Sequence, residues 1–440
     1  MLNKIVDALH KRSDLVGWSV REIQSREAQV YAIPQGIESQ RNVDGGKYRI
    51  DVLRNTTASD GAPATGSGDA VLLRGEDIDQ AINQAALVAG LVSNPVHGLP
   101  GPAEFPKVPL CDDRLQKKSM EAMLDVMERI QTAASNQGEV RLTAAECFGE
   151  AQYTHLINSR GIDVEQESTS VEVEFVLHGR RGESESEMFN SIIRRRVADL
   201  ELEAAIRERV QYTLDSLVAK APSSWQGPVV LRGDALTIFL AGDNLNGSVI
   251  QNLASADAKF AQISPWEVGK SVFRDEVKGD PLTVWANRLL PFGVASNRFD
   301  AEGLPARRVE LIQENVLSTF AASQRYAEYL KLPSTGAFGN IELPPGMTPD
   351  AELMAEPHIE IIQFSWFNPD TVTGDFATEI RFGYLVENGI RKPFKGGQLV
   401  GNYMDALADV RWSRETGFFG SYLGPRTARF NDLKISGSGE

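Results

Sequence analysis

Residues 139–179 decide the fold of this chain, and they read EVRLTAAECFGEAQYTHLINSRGIDVEQESTSVEVEFVLHG. In the second half of this stretch, Val171, Val173 and Phe175 alternate with glutamates, which predicts a strand with one buried face and one solvated face. The NSRG segment (158–161) between two strand-like runs predicts a hairpin turn, because its glycine can adopt a positive φ. We therefore expect a sheet built from sequential antiparallel strands.

The residues before this hairpin predict more strand, then a helix. Residues 15–56 alternate between apolar and polar side chains in the manner of strands. Residues 56–69, TTASDGAPATGSGD, predict a loop of small residues between strands. Helical spacing runs over 76–92, and the proline-rich segment 93–109 predicts an extended linker because it cannot form regular structure.

The residues after the hairpin predict separate helices and strands, which favours an α+β fold with mixed or antiparallel sheets. We expect an N-terminal α+β domain over 1–222, with sub-units at about 1–92 and 110–222, and a strand-rich C-terminal domain over 227–440. The segment KAPSSWQGP (220–228) is the expected boundary. Helices are expected near 112–135, 196–220, 236–253, 313–330 and 401–411.

Composition excludes several classes of partner. The chain has 440 residues and a net charge of −15, with 45 basic and 60 acidic side chains, whereas proteins that bind nucleic acid usually carry a basic face. The basic cluster Arg194 to Arg196 runs into an acidic helix, so we interpret it as a solvated helix start. No apolar run reaches the roughly 18 residues that cross a bilayer, and the N-terminus lacks a signal core. We expect no nucleic-acid partner, no membrane association and a cytoplasmic protein.

The sequence contains no recognisable catalytic apparatus. Its five histidines are too far apart to form a metal-binding helix, and its two cysteines, Cys111 and Cys147, predict buried thiols. GSYLG (420–424) has its serine one place too early for a nucleophile elbow. The stretch GPVVLRGDALTIFLAGDNLNGSVIQ (227–251) predicts a strand, a turn and a helix with Phe239 on the buried face, yet it has no His, Cys, Lys or Glu. We assign no catalytic, cofactor-binding or metal-binding residue.

Several motifs, taken in order, resemble the TldD/PmbA family, also called the TldD/TldE proteins. The most specific are FDAEG (299–303), TGDF followed by GYLVENG (373–389), and LKISG (433–437). The resemblance extends over almost the whole chain. No single motif is highly specific, but their order is.

This resemblance implies a cytoplasmic zinc metallopeptidase built from two related subunits. The active subunit of the family carries H-E-x-x-x-H on the helix after the VVL-like strand, and a cysteine near its C-terminus. Here the corresponding residues 240–246 read LAGDNLN, and 418–430 read FFGSYLGPRTARF without a cysteine. The resemblance therefore implies a TldE/PmbA-like subunit without a cofactor of its own, with zinc in a TldD-like partner and unfolded peptide as the substrate.

Two alternatives remain at the level of sequence. The chain could be a homodimeric peptide-binding or scaffold protein without a peptidase partner, or a hydrolase that acts alone through a site assembled from distant residues. If peptide is bound, we expect exposed sheet edges to hold it by accepting an additional strand.

Overall fold

The computed structural model of the chain describes residues 1–242 and 247–438. Strand accounts for 42% of the structure and helix for 23%, in mixed and antiparallel sheets, which confirms the predicted α+β class. The C-terminal part is rich in strands, as expected. The predicted division into domains at 222–227 stays a prediction.

The N-terminal half is organised around one six-stranded antiparallel sheet with the order β3-β2-β1-β4-β5-β6. The predicted hairpin at NSRG joins β4 to β5, and Gly161 adopts a φ of 93° there. The strands are β1 (Gly17–Ile33), β2 (Gly36–Thr57), β3 (Pro63–Leu73), β4 (Val140–Asn158), β5 (Asp163–Arg181) and β6 (Ser184–Arg194).

The helices of this half cover a single face of the sheet. Trp18 and Val20 of β1 pack with helices α1 and α2, whereas Ala28 and Val30 of the same strand pack with α3 and α4. Side chains two apart in a strand share a face, so all four helices lie on one side. These helices are α1 (Leu2–His10), α2 (Ile78–Leu91), α3 (Asp113–Ala134) and α4 (Leu202–Ser216), with a short 3-10 helix (Val197–Asp199) before the last.

The prediction of a loop over 56–69 was wrong at both ends, because 56–57 belong to β2 and 63–69 belong to β3, which leaves a loop only at 58–62. A Cβ atom at Gly66 would lie 1.7 Å from the carbonyl oxygen of Ala89, and one at Gly68 would lie 2.1 Å from that of Ala85. The glycines therefore let α2 pack directly on the strand. They signal close packing of a helix on a sheet.

The C-terminal half contains two sheets. Its strands are β7 (Trp225–Arg232), β8 (Val284–Asn287), β9 (Arg308–Gln313), β10 (Val316–Leu317), β11 (Asn340–Glu342), β12 (His358–Phe364), β13 (Asp375–Glu387), β14 (Ile390–Phe394), β15 (Gln398–Asn402), β16 (Val410–Trp412), β17 (Thr416–Phe419), β18 (Tyr422–Pro425) and β19 (Thr427–Ser436). One sheet has the order β10-β9-β8-β11-β18-β17. In the other, β12-β7-β19-β15-β13 closes into a ring because β13 also pairs with β12.

The C-terminal helices are shorter than the sequence suggests. They are α5 (Gly233–Ala241), α6 (Val249–Leu253), α7 (Ala256–Phe260), α8 (Gln324–Leu330), α9 (Asp350–Leu353) and α10 (Tyr403–Ala408). The single helix expected at 236–253 is α5 and α6, and residues 243–246 between them lie outside the described residues. The helix expected at 313–330 is present only as α8, because the start of this segment is a hairpin in which Glu314 and Asn315 adopt positive φ and turn β9 into β10.

Polar contacts tie the two halves together, and they correct the interpretation of Arg194 to Arg196 as a solvated helix start. The Arg195 guanidinium donates to the carbonyls of Thr169, Gly293, Val294 and Ser296. These carbonyls come from β5 and from the loop after β8. Arginine was needed at this position because its fork of donors can satisfy several buried carbonyls at once.

The FDAEG motif forms a second connection between the halves. One carboxylate oxygen of Asp300, Oδ1, accepts hydrogen bonds from the backbone N–H groups of residues 302–304 at 2.9–3.0 Å. Gly303 adopts a φ of 98°, and a Cβ atom there would lie 3.0 Å from the side chain of Ile162 in the β4–β5 turn and 3.3 Å from that of Leu156 in β4. Among residues 1–242 and 247–438, no helix is long and apolar enough to span a bilayer.

Candidate functional site: a groove beside the edge strand β6

A groove runs between the N-terminal sheet and the C-terminal half. It is a cavity of about 390 Å³, within the range of ligand pockets. Its walls are the last residues of β6, the exposed side of α5, the segment 362–367 at the end of β12, and the turn at 419–421. Two of its aromatic side chains are unusually open to solvent: Trp366 is 60% exposed and Phe189 is 42% exposed.

The β6 wall is the edge of the six-stranded sheet. The carbonyl of Glu187 accepts a hydrogen bond from Arg381 (2.9 Å), and that of Phe189 accepts one from Gln363 (2.8 Å). In an antiparallel strand the N–H and C=O of one residue point to the same side, so odd-numbered residues direct both groups away from β5. Within the described residues, the backbone of Ser191 has no strand partner on that side and faces the groove.

The opposite wall is α5, whose orientation is fixed by aromatic packing behind it. Phe239 is fully buried, as the sequence predicted, and its ring stacks on that of Tyr403 with centroids 4.4 Å apart. The Tyr403 hydroxyl donates to the carbonyl of Phe239 (2.8 Å). Because these contacts hold the buried side, α5 presents Ala235, Thr237 and Ile238 to the groove.

The described part of α5 does not fit a zinc ion. Its one carboxylate, Asp234, forms a hydrogen-bonded ion pair with Arg209 of α4. Of residues 240–246, where the resemblance would place a metal motif, Leu240, Ala241 and Gly242 are described and 243–246 lie outside the described residues. In the described ranges, no three His, Cys, Asp or Glu side chains are grouped so that they could hold a metal.

The histidines occupy separate structural environments, none of which lines the groove. His10 packs edge-on against Trp18. His97 packs against Tyr329. His155 is within 2.6 Å of Asp163. His178 lies 3.7 Å from Glu185. His358 is buried at the start of β12. Cys147 is buried, which raises its pKa to about 12, and Cys111 is half-buried.

The charges around the groove are unevenly distributed. Arg194 is the one cationic side chain among the described residues that line it. Burial lowers the pKa of Arg194, an effect that Asp234 partly opposes. The adjoining helix-free face of the sheet is acidic, and burial raises the pKa of Glu150 and Glu172, with a smaller contribution from Glu27. The Ser191 hydroxyl donates to Glu172 (3.4 Å).

No residue of this groove was predicted from the sequence to form a site. Its walls come from four segments that are far apart in the chain, and most of the side chains are apolar or uncharged. Arg194 was the one visible signal, and it was interpreted as part of a solvated helix start.

Comparison with known proteins places the whole chain among solved folds. TldE from Thermococcus kodakarensis superposes with a TM-score of 0.82 at 18% identity, covering 99% of this chain and 100% of that one. The Thermotoga maritima protein TM0727, named as a candidate modulator of a DNA gyrase, gives the same score, identity and coverage. BT3649 from Bacteroides thetaiotaomicron, a candidate modulator of DNA gyrase by name, gives 0.81 at 16% identity, with 99% and 98% coverage. At these identities the likeness establishes the fold.

Sequence comparison supplies the family. The uncharacterized protein MJ0231 of Methanocaldococcus jannaschii is 23% identical over 278 residues, or 59% of this chain, and the chain spans 62% of that protein's length. Residues 227–437 match the family described as "PmbA/TldA metallopeptidase C-terminal domain". That match includes α5, the segment 362–367 and the turn at 419–421, which line the groove. The C-terminal half of the chain therefore belongs to the TldD/PmbA family.

Proposed function

We propose that this chain is the non-metal subunit of a TldD/TldE-type metallopeptidase, and that its groove holds an unfolded peptide in extended form. The observation that carries the proposal is the backbone of Ser191 on the β6 edge, which has no strand partner there among the described residues and faces a partly apolar groove beside α5. A carboxylate-poor helix lines the groove where the family's active subunits would place their metal motif.

Strand addition explains how such a groove can bind peptides of many sequences. A peptide that pairs with β6 gains main-chain hydrogen bonds, which carry no sequence information. The exposed rings of Phe189 and Trp366 would then bury apolar side chains of the peptide, and that burial contributes about 25 cal/mol per Å². The outward carbonyls of Glu187 and Phe189 are already bonded, so pairing is confined to residues near Ser191.

A partner subunit would supply the chemistry that this chain lacks. Zinc held by the partner's H-E-x-x-x-H motif would polarise the peptide carbonyl and activate water. This chain would bind the unfolded peptide and help to exclude folded proteins from the site. The likeness to TldE supports the pairing at the level of the fold. The alternative, a homodimeric binding protein, would use the same groove without a peptidase partner.

The pairing is tested by co-purification of the chain from its native host, followed by mass spectrometry and a cleavage assay. We expect a TldD-like subunit to co-purify. The purified chain alone should leave a labelled unfolded peptide intact, and the mixture should cleave it until a chelator is added. His155→Ala should leave cleavage unchanged, since this side chain lies outside the groove. Cleavage by the rigorously purified single chain, lost on one His→Ala change, would refute the role as a non-metal subunit.

The groove is tested with Ser191→Pro. Proline removes the outward N–H and obstructs an added strand, yet it costs no bond to β5 because this N–H points away from the sheet. We expect the Kd for a labelled unfolded peptide to rise roughly tenfold, the equivalent of about 1.4 kcal/mol. Glu185→Pro is the matched control, because Glu185 also has an outward N–H on β6 but lies outside the groove. Equal binding by both variants would contradict the proposal.

A further inference from the structure

Three consecutive arginines lie at the end of β6 and just after it, and their guanidinium groups have different partners. Arg195 donates to four backbone carbonyls. Arg196 pairs with Asp199 at 2.7 Å and lies over the ring of Phe292. Arg194 makes a single hydrogen bond within the described residues, from Nη1 to the carbonyl of Ile193 (2.8 Å).

Arg194 also lacks a direct counter-ion. In residues 1–242 and 247–438, no carboxylate oxygen lies within 4.0 Å of its guanidinium. The neighbouring Asp234 is paired with Arg209 instead. A guanidinium has five N–H donors, so most of them remain available at the end of the groove. A half-buried and unpaired cation is costly, and an anionic ligand would offset that cost.

Several of the groove residues around Arg194 are apolar. The wall on the α5 side is formed by Ala235 and Ile238, and the floor includes Phe419 and Gly420. A Cβ atom at Gly420 would lie 3.5 Å from Nη1 of Arg194, so the backbone of the turn passes close to the guanidinium. Low polarity on two sides strengthens any ion pair formed there.

We propose that Arg194 binds a carboxylate of the peptide held in the groove. This inference rests on the proposed peptide-binding function and adds a chemical preference to it. The planar fork of the guanidinium matches the two oxygens of a carboxylate. The carboxylate comes either from the C-terminus of the peptide or from an Asp or Glu side chain.

The two sources differ in the direction of the peptide. Arg194 lies at the C-terminal end of β6. A peptide whose own C-terminus reaches Arg194 must therefore run parallel to β6. A side-chain carboxylate permits either direction, because it does not mark the end of the chain.

The test measures the Kd of fluorescently labelled unfolded peptides for the full chain. Four versions of one sequence are compared: with a C-terminal acid or a C-terminal amide, each with Glu or Gln at one internal position. We expect the version that carries the recognised carboxylate to bind roughly tenfold more tightly or better, as for a charge-assisted hydrogen bond. The position of the effective carboxylate identifies its source.

The variant Arg194→Gln should abolish that difference and bind all four peptides with similar Kd. Arg194→Lys should retain part of it, because the charge remains but the bidentate geometry is lost. Arg160→Gln is the charge-matched control, since Arg160 is exposed at the β4–β5 turn. Circular dichroism melts show whether each variant is folded. The comparison of acid and amide peptides on the unmodified chain tests the proposal even if a variant does not fold.

Each outcome of the binding experiment either supports or refutes the proposed carboxylate preference. If all four peptides bind the unmodified chain equally, or if Arg194→Gln preserves the difference, the carboxylate preference is refuted and peptide binding stands. If no peptide binds the chain in any form, the proposed groove function and this inference both fail.

Discussion

Asp300→Asn is the sharpest test of how the FDAEG turn, which meets the N-terminal half, is held in place. The substitution preserves shape and exchanges one carboxylate oxygen for an amide nitrogen. Asp300 is 6% exposed, and its two oxygens have different partners. Oδ1 accepts from three backbone N–H groups, while Oδ2 accepts from the N–H of Ala337 (3.1 Å) and lies 3.8 Å from Nη1 of Arg288.

Neither orientation of an asparagine satisfies these partners. If its oxygen replaces Oδ1, its NH₂ group faces the N–H of Ala337 and the guanidinium of Arg288. If it flips, the NH₂ group meets three N–H donors. Arg288 is 1% exposed, and breaking a buried pair in this way costs about 3–5 kcal/mol.

We expect Asp300→Asn to lower the free energy of unfolding by about that amount in urea titrations followed by tryptophan fluorescence. Asp44→Asn makes the same chemical change at an exposed position of β2 and should shift it by less than about 0.5 kcal/mol. If the two variants unfold within about 1 kcal/mol of each other, the Asp300–Arg288 contact does not hold the fold as described.

Two other perturbations have clear expected outcomes. Phe239→Ala should lower the free energy of unfolding by about 3–5 kcal/mol, because it removes a fully buried ring that contacts four aromatic neighbours. Ile238→Ala on the groove side of α5 should lower it clearly less. Similar midpoints of the two variants in thermal melts would contradict the assigned orientation of α5. Burial lowers the pKa of His358 in the folded protein below that of a free histidine, which is about 6.5. The contribution of neutral His358 to folding stability should therefore be complete above about pH 6.5. It should be lost as the pH falls from there through the pKa of His358 in the folded protein. His358→Gln should reduce this acid-side decline in melts between about pH 7.5 and 5, and an unchanged slope would show that His358 does not contribute.

The regular parts of the N-terminal half could be predicted from sequence because each strand or helix carries its own periodicity. The residues Leu115, Met123, Met127 and Ile130 form one stripe, and all are at most 1% exposed in α3. The alternation in β5 likewise matches its buried face. The local pattern of apolar residues is enough to predict a helix or strand when one face of it is buried and the other is exposed.

Predictions failed where the decisive contact is made by a distant segment. Gly66 and Gly68 look like loop residues until the backbone of α2 is placed against them. Likewise, three arginines in a row look solvated until the carbonyls that surround Arg195 are known. The groove could not be predicted because its walls converge only after both halves have folded.

The closed ring of strands in the C-terminal half has a consequence for biosynthesis. β19 pairs with β7 on one side and β15 on the other, so residues 427–436 lie between a strand that begins at residue 225 and one that begins at residue 398. The ring of strands cannot close on the ribosome before these residues have emerged. The aromatic cluster around Phe239 cannot be completed earlier either, because Phe430 of β19 belongs to this cluster. We expect nascent chains stalled before residue 427 to retain a protease-sensitive C-terminal half. The family motif LKISG lies within this last strand and the residue after it.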